Sequence, residues 1–211
     1  MKNIIWVGTP KCAWSSMRIC LSEQAKKHEK KGKHQILTFD DCHLYLILNG
    51  TVELFKRSHL EIFNNSWKYT FVRNPWDRLL SAYMFVTGKK YVLTKNWINR
   101  DKFSSFEMFV KHKPFFGHSG PVVAHMRPMY DLFRDRNNSC DYFDFIGQFE
   151  NLQKDFDFIS DKIGIPRSQL PHYLRTEHKP YWEYYNDELQ EIVAQHYKKD
   201  IEYFGYKFRE E

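Results

Sequence analysis

The sequence predicts an α/β fold, a P-loop-like parallel β-sheet flanked by helices, in a single domain over residues 1–211. Three observations carry this expectation. Short β-branched and aromatic runs alternate with longer helical segments in the order β-α-β-α-β, an order that implies a parallel sheet with helices on both faces. The first and third runs each lead into residue types that open helices, Ser15-Ser16 and Pro75. A chain of 211 residues and 25.7 kDa suffices for one core that buries roughly 70% of the unfolded surface, and no repeat or low-complexity linker divides it.

In chain order, Asn3–Gly8 (NIIWVG) reads as the first strand and residues from about Ser15 to Lys31 as a helix. The Lys26–Lys33 run is a solvated helix end, with lysines favoured by the dipole and Gly32 as the stop. His34–Phe39 is the second strand, Leu44–Asn64 a helical region and Lys68–Val72 (KYTFV) the third strand. Trp76–Val86 follows as a helix. Tyr91–Pro128, rich in aromatics, lysine and histidine, is expected to build one side of a cleft. Asp141–Gly147 returns as a strand, and Glu150–Ile163 and Asp187–Tyr203 as helices.

The most informative stretch is Phe71–Tyr83, which places anion-binding groups at a strand-to-helix junction. Pro75 suits the first helical position, and the first turn offers backbone N–H groups at the positive end of the macrodipole. Arg73 and Arg78 add charge and Ser81 a hydroxyl, so all are expected to face one anion. The bland alternative pairs both arginines with surface carboxylates. A second anion loop follows the first strand, Thr9-Pro10-Lys11-Cys12-Ala13-Trp14-Ser15-Ser16. Lys11 is a point cation on a flexible stem, and Ser15 and Ser16 are donors at a helix start. A Walker loop needs glycines before its lysine, whereas here the lysine comes early and Gly8 is the only glycine nearby.

Arg-Asn-Pro, then Arg, then Ser-x-Tyr resembles the 3′-phosphate segment of sulfotransferases that use 3′-phosphoadenosine 5′-phosphosulfate (PAPS). Pro10-Lys11 with Ser15-Ser16 resembles their phosphosulfate loop, with Trp14 standing where a small residue is usual. Ala124–Pro128 and Cys140–Leu152 are similar to the H-W-x-P and Y-D-F-V-G-x-x-E segments of the carbohydrate branch, chondroitin 4-O- and HNK-1-type, with Met126 replacing the tryptophan. Asp200–Tyr206 matches its D-x-x-x-F-G-Y ending, so the likeness runs from Pro10 to Phe208. It implies PAPS as donor and 3′,5′-adenosine bisphosphate (PAP) as product. It further implies that Lys11, Cys12, Ala13, Trp14, Ser15 and Ser16 line the phosphosulfate, and that Arg73 and Ser81 hold the 3′-phosphate.

Sulfuryl transfer needs a base on the nucleophile, charge neutralisation on the leaving phosphate and in-line placement. Nothing in that logic requires a metal, and Cys42, His43 and His34 lack the paired spacing of a zinc site. Lys11 is assigned to the leaving oxygens. The base belongs beyond the second strand, because ligands of open parallel sheets bind past the carboxyl ends of the strands. His43 is chosen there, with Asp40, Asp41 and His125 as alternatives and Arg127 as a contact for an anionic acceptor.

The formal charge of +6 and pI near 9.0 suit a polyanionic donor or acceptor. They also suit nucleic acid, but the basic residues are otherwise dispersed and no nucleic-acid motif is present. Aromatic residues at 18% exceed a minimal core and supply stacking surfaces as well as filling. Cys12, Cys20, Cys42 and Cys140 form no disulfide framework, and no apolar run is long enough for a leader or a membrane span. The expectation is a cytoplasmic enzyme acting on a hydroxyl of a carbohydrate or small molecule, of unknown oligomeric state. Its rivals are a nucleotide kinase, which needs a carboxylate where Arg73 stands, and a non-catalytic polyanion-binding module.

Overall fold

The computed structural model describes residues 4–17, 19–20, 36–38, 63–88, 103–112, 125–135, 137–171 and 178–209. Strands β1 (Ile4–Val7), β2 (Ile36–Thr38) and β3 (Trp67–Val72) are followed by helices α1 (Pro75–Thr87), α2 (Phe106–His112) and α3 (Met129–Phe133). Strand β4 (Phe145–Gln148) then leads through a single 3-10 turn to α4 (Leu152–Ile163), and α5 (Asp187–His196) and α6 (Lys198–Phe204) close the series. The chain falls into two compact units, one of Met1–Val72 with Leu132–Leu174 and one of Arg73–Asp131 with Arg175–Glu211.

The first unit is built on a parallel four-stranded sheet in the order β2-β1-β3-β4. Ile4 to Val7 pair with Trp67 to Thr70, and Tyr69 to Val72 with Phe145 to Gln148. The chain leaves β1 for one flank, then returns to β3 on the other, so the sheet's switch point lies between the carboxyl ends of β1 and β3. Strand β3 is buried from Lys68 to Val72, as a central parallel strand covered on both faces must be. Ile5, Met17, Tyr69, Phe71, Phe156 and Ile159 form its fully buried centre. Gly147 stands opposite Phe71, and a methyl group there would come within 2.6 Å of the Phe71 ring. Only a hydrogen fits.

Strand β4 starts at Phe145, four residues after the expected Asp141, for a local reason. Asp144 N–H donates to the Lys68 carbonyl at 2.8 Å, while Lys68 N–H donates back to the Asp144 carboxylate at 2.8 Å. A side chain thus replaces one rung of the ladder, and Asp141 and Tyr142 form a turn instead. The lysine is itself a cap. Lys68 Nζ donates to the carbonyls of Phe63 and Ser66, which explains a lysine buried in a central strand.

The second unit is helical. Helix α1 begins at Pro75, one residue before the expected start, and Asn74 caps it by accepting from the N–H groups of Trp76 and Asp77. Its buried face, Trp76, Leu79, Leu80, Tyr83 and Val86, packs with Phe106, Phe109, Val110, Leu189 and Val193. Tyr83 meets Phe106 and Phe109 at ring separations of 5.3 and 5.1 Å, so much of the aromatic content is core filling. The helix expected over Asp187–Tyr203 breaks at Tyr197 into α5 and α6. The Tyr197 ring is fully buried and its hydroxyl donates to the Met126 carbonyl. Backbone bonds continue on both sides, Tyr197 N–H to the Val193 carbonyl and Ile201 N–H to the Tyr197 carbonyl, each at 3.0 Å, so the break is a local departure of Tyr197 from helical angles.

Among the described residues no helix is long and apolar enough to cross a membrane. The expected helical region Leu44–Asn64 lies outside the described residues except for a final turn at residues 63–64, and the expected helix from about Ser15 is described only through Cys20.

Candidate functional site

The loop that leaves β1 carries two residues in the left-handed region, Lys11 at φ 68° and Ala13 at φ 58°. Each such position costs a non-glycine residue roughly 1–2 kcal/mol, so the fold must hold the loop against its own preference. Three features do so. Thr70 Oγ1 donates to the Val7 carbonyl at 2.7 Å, and Thr9 Oγ1 lies 3.2 Å from it, tying the loop's root to β3. Cys12 N–H donates to the Thr9 carbonyl, closing a turn, and Met17 N–H donates to the Ala13 carbonyl, starting a helix. Left-handed and right-handed residues in succession curve a backbone into a concavity of N–H groups, the form that receives anions.

The helix starts at Trp14, so Ser15 and Ser16 sit in its first turn, where N–H groups point out of the positive end. Cys12 and Ser16 are buried, while Lys11, Ala13, Trp14 and Ser15 are half-buried. Trp14 has a seat. Its indole lies against Gly8, with the Trp6 ring beside them, and a methyl group on Gly8 would collide with the indole. The bulky residue that departs from the usual small one is therefore matched by a glycine six positions earlier. Gly8→Ala is expected to lower stability by about 1–3 kcal/mol through this overpacking and to shift the tryptophan emission. An unchanged thermal midpoint and spectrum would show that the indole rests elsewhere.

In the second unit, Arg73 lies just before the Asn74 cap and is 7% exposed. Its Nε and Nη2 both donate to Asp77 Oδ2, at 3.0 and 2.8 Å. Residues 73, 77 and 81 are four apart, so the buried Ser81 follows Asp77 along one face of α1. Arg73 is thus fixed by a carboxylate one turn before the serine assigned with it. The cap is held from outside the helix as well: Asn74 Nδ2 donates to the Lys207 carbonyl at 2.9 Å, and Trp76 Nε1 to the Gln190 carbonyl at 3.1 Å.

Arg78 corrects the expectation that both arginines face one anion. It is fully buried in the helical unit, and its Nη1 donates to the Arg127 carbonyl at 2.9 Å. Beside it, Asp200 is also fully buried and accepts from the N–H groups of Met129 and Tyr130, at 2.8 and 2.7 Å. Burial pushes the Asp200 carboxyl up to about 6, against the pull of Arg78 and the two N–H groups. Burial likewise pushes the Tyr197 hydroxyl well above its ordinary range. Arg78 is a core group.

His125 is half-buried and stacks on Phe85, with ring centroids 5.0 Å apart and planes 19° from parallel. His43, Asp40 and Asp41 lie outside the described residues. Among the described residues no three His, Cys, Asp or Glu side chains gather as metal ligands. Two features escaped the sequence reading. Asp77 showed itself only as an acidic residue four places after Arg73, and the Gly8–Trp14 pair needs the loop to bend back on its strand.

Residues 1–207 match the Sulfotransferase family. Among solved structures, a crystal structure of a sulfotransferase from Alicyclobacillus acidocaldarius is similar at a TM-score of 0.46 and 16% sequence identity, covering 96% of this chain and 93% of that one. No curated protein matches the chain.

Proposed function

Because the chain belongs to the sulfotransferase family, we propose that it transfers the sulfuryl group of PAPS to a hydroxyl of a carbohydrate or small-molecule acceptor. The observation that carries the donor reading is the Arg73–Asn74–Pro75 junction. There a buried, carboxylate-braced arginine stands at the capped, positive end of α1, with Ser81 further along the face that Asp77 occupies. A phosphate monoester suits that charge and that donor set. The strained loop after β1 supports the other half of the assignment, in which Lys11, Ser15 and Ser16, with the backbone of Cys12, Ala13 and Trp14, receive the phosphosulfate.

In the reaction the acceptor oxygen forms a bond to sulfur as the bond between sulfur and the bridging phosphate oxygen breaks. Both electrons of that bond leave with PAP, and the acceptor proton passes to a base. Lys11 is the group for the charge that builds on the leaving oxygen. His43 is our first choice of base, ahead of Asp40, Asp41 and His125, and no metal is assigned. A reducing, cytoplasmic setting is part of the same proposal.

Calorimetric titration with PAP, with ATP and with a random oligonucleotide tests the reading. PAP is expected to bind far more tightly than ATP, since only the 3′-phosphate meets Arg73 and Ser81. Arg73→Ala and Ser81→Ala should each weaken PAP by about 1.5–3 kcal/mol in a folded protein. Equal affinity for PAP and ATP, or no change in the variants, would overturn the 3′-phosphate assignment. Tighter binding of the oligonucleotide than of PAP would favour a polyanion-binding module.

A further inference from the structure

Between His125 and Tyr130 the chain makes a sharp turn whose backbone is held by three buried polar side chains from other parts of the helical unit. Tyr197, at the break between α5 and α6, donates to the carbonyl of Met126. Arg78, from α1, donates to the carbonyl of Arg127. Asp200, from α6, accepts from the N–H groups of Met129 and Tyr130, while Pro128 has no N–H to offer. Three elements therefore fix four of five successive residues through polar contacts.

Such an arrangement is an expensive way to hold helices together. Fully burying an arginine, an aspartate and a tyrosine hydroxyl incurs desolvation that apolar side chains of similar volume avoid, and polar interiors of this kind add direction rather than net stability. What they direct here is a backbone turn. The residues on that turn whose side chains carry chemistry are His125 and Arg127, both half-buried. His125 is held a second time by its stack on Phe85, and Phe85 and Arg78 are seven residues apart, two turns along the same face of α1. One helix thus grips both the ring of His125 and the carbonyl of Arg127. The same helix begins at Arg73 and carries Ser81.

We infer that Arg78, Tyr197 and Asp200 are positioning residues, which hold the 125–130 turn so that His125 and Arg127 are presented to the acceptor at fixed positions relative to the donor groups of α1. The inference rests on the sulfuryl-transfer reading above. It assigns these three residues no contact with donor or acceptor, and it makes α1 the common mount of the donor-phosphate and acceptor sides.

The test uses the full chain labelled with ¹³C-histidine, the His125 signal being identified with His125→Gln. In the wild type that signal should be displaced by the ring current of Phe85. In Tyr197→Phe, which removes one hydroxyl and little volume, it should move toward the free-histidine position. Release of sulfate from radiolabelled PAPS to water should fall about tenfold, with PAP affinity unchanged and the thermal midpoint lowered by a few degrees. A folded Tyr197→Phe protein with the wild-type histidine signal and the wild-type rate would overturn the inference. If that variant does not fold, Arg78→Lys serves, since it keeps a charge near Asp200 but not the guanidinium arm that reaches Arg127. Failure of the wild type to bind PAP would sink the donor reading instead, and the histidine signal would still decide whether the turn is held as inferred.

Discussion

Replacing Asp200 by alanine should destabilise the helical unit by about 3–5 kcal/mol, the range expected when one member of a buried charged cluster is removed and its neighbours are left behind. Two buried N–H groups, of Met129 and Tyr130, lose their acceptor, and the fully buried Arg78 loses a nearby negative charge. The pH dependence gives the sharper check. The carboxyl lies at about 6 in the folded protein against an ordinary 3.8, so the folded state binds the proton more tightly than the unfolded one. A raised value of this kind makes folding more favourable as pH falls from 6 toward 4, by up to about 3 kcal/mol, and makes no contribution well above 6. The deficit of Asp200→Ala relative to the wild type should therefore grow on acidification. Denaturant titrations at pH 4.5 and 7.5 measure it. A deficit that shrinks toward acid would mean that Arg78 and the two N–H groups outweigh burial and that the carboxylate is the preferred form.

The second large effect is expected at His43. As the base for the acceptor hydroxyl it must be neutral, so transfer should rise with pH as the imidazole gives up its proton. His43→Asn should depress turnover roughly 10²–10⁴-fold while PAP binding stays close to wild type. Single-turnover rates from labelled PAPS, beside calorimetry on the same samples, separate the two quantities. A stably folded His43→Asn enzyme at the wild-type rate would remove His43 from the mechanism, and Asp40, Asp41 and His125 would follow in turn. Of these, His125 is the one within the described residues, where it is held by its stack on Phe85 and by the buried groups around its turn.

How much of this was legible in the sequence depended on how local the deciding interactions are. Strand β3 and helix α1 were placed to within a residue at each end, because a β-branched and aromatic run, an Asn cap and a Pro at the first helical position all act within a few residues. The strand at Asp141 was misjudged where a distant partner decides, since Asp144 bonds to Lys68 across 76 positions. The single helix over Asp187–Tyr203 departs from helical angles at Tyr197, whose hydroxyl reaches Met126 across 71. Arg78 is the instructive case at the site. From sequence it is one more cation beside Arg73, and only the packing of α1 shows that one arginine is braced by Asp77 while the other is sealed in the core. The β1 loop was recognisable by its lysine and serines, but neither its left-handed residues nor the seat of Trp14 on Gly8 follows from residue type alone.

The sheet order also fixes a schedule for synthesis. Strand β1 emerges before β3, and its flank toward β3 stays open until a partner 63 positions later has emerged, as the Thr70 to Val7 bond measures. Closing a loop of that length costs about 4 kcal/mol of chain entropy, against roughly 1 for a four-residue hairpin, and β4 joins later still. The turn at Met126–Tyr130 waits in the same way for Tyr197 and Asp200, whose bonds to it span 70 to 71 positions. Until β3 emerges the nascent chain therefore holds a strand with one open edge beside the Lys11 loop, which is the interval in which a chaperone or an opportunistic strand partner can reach it.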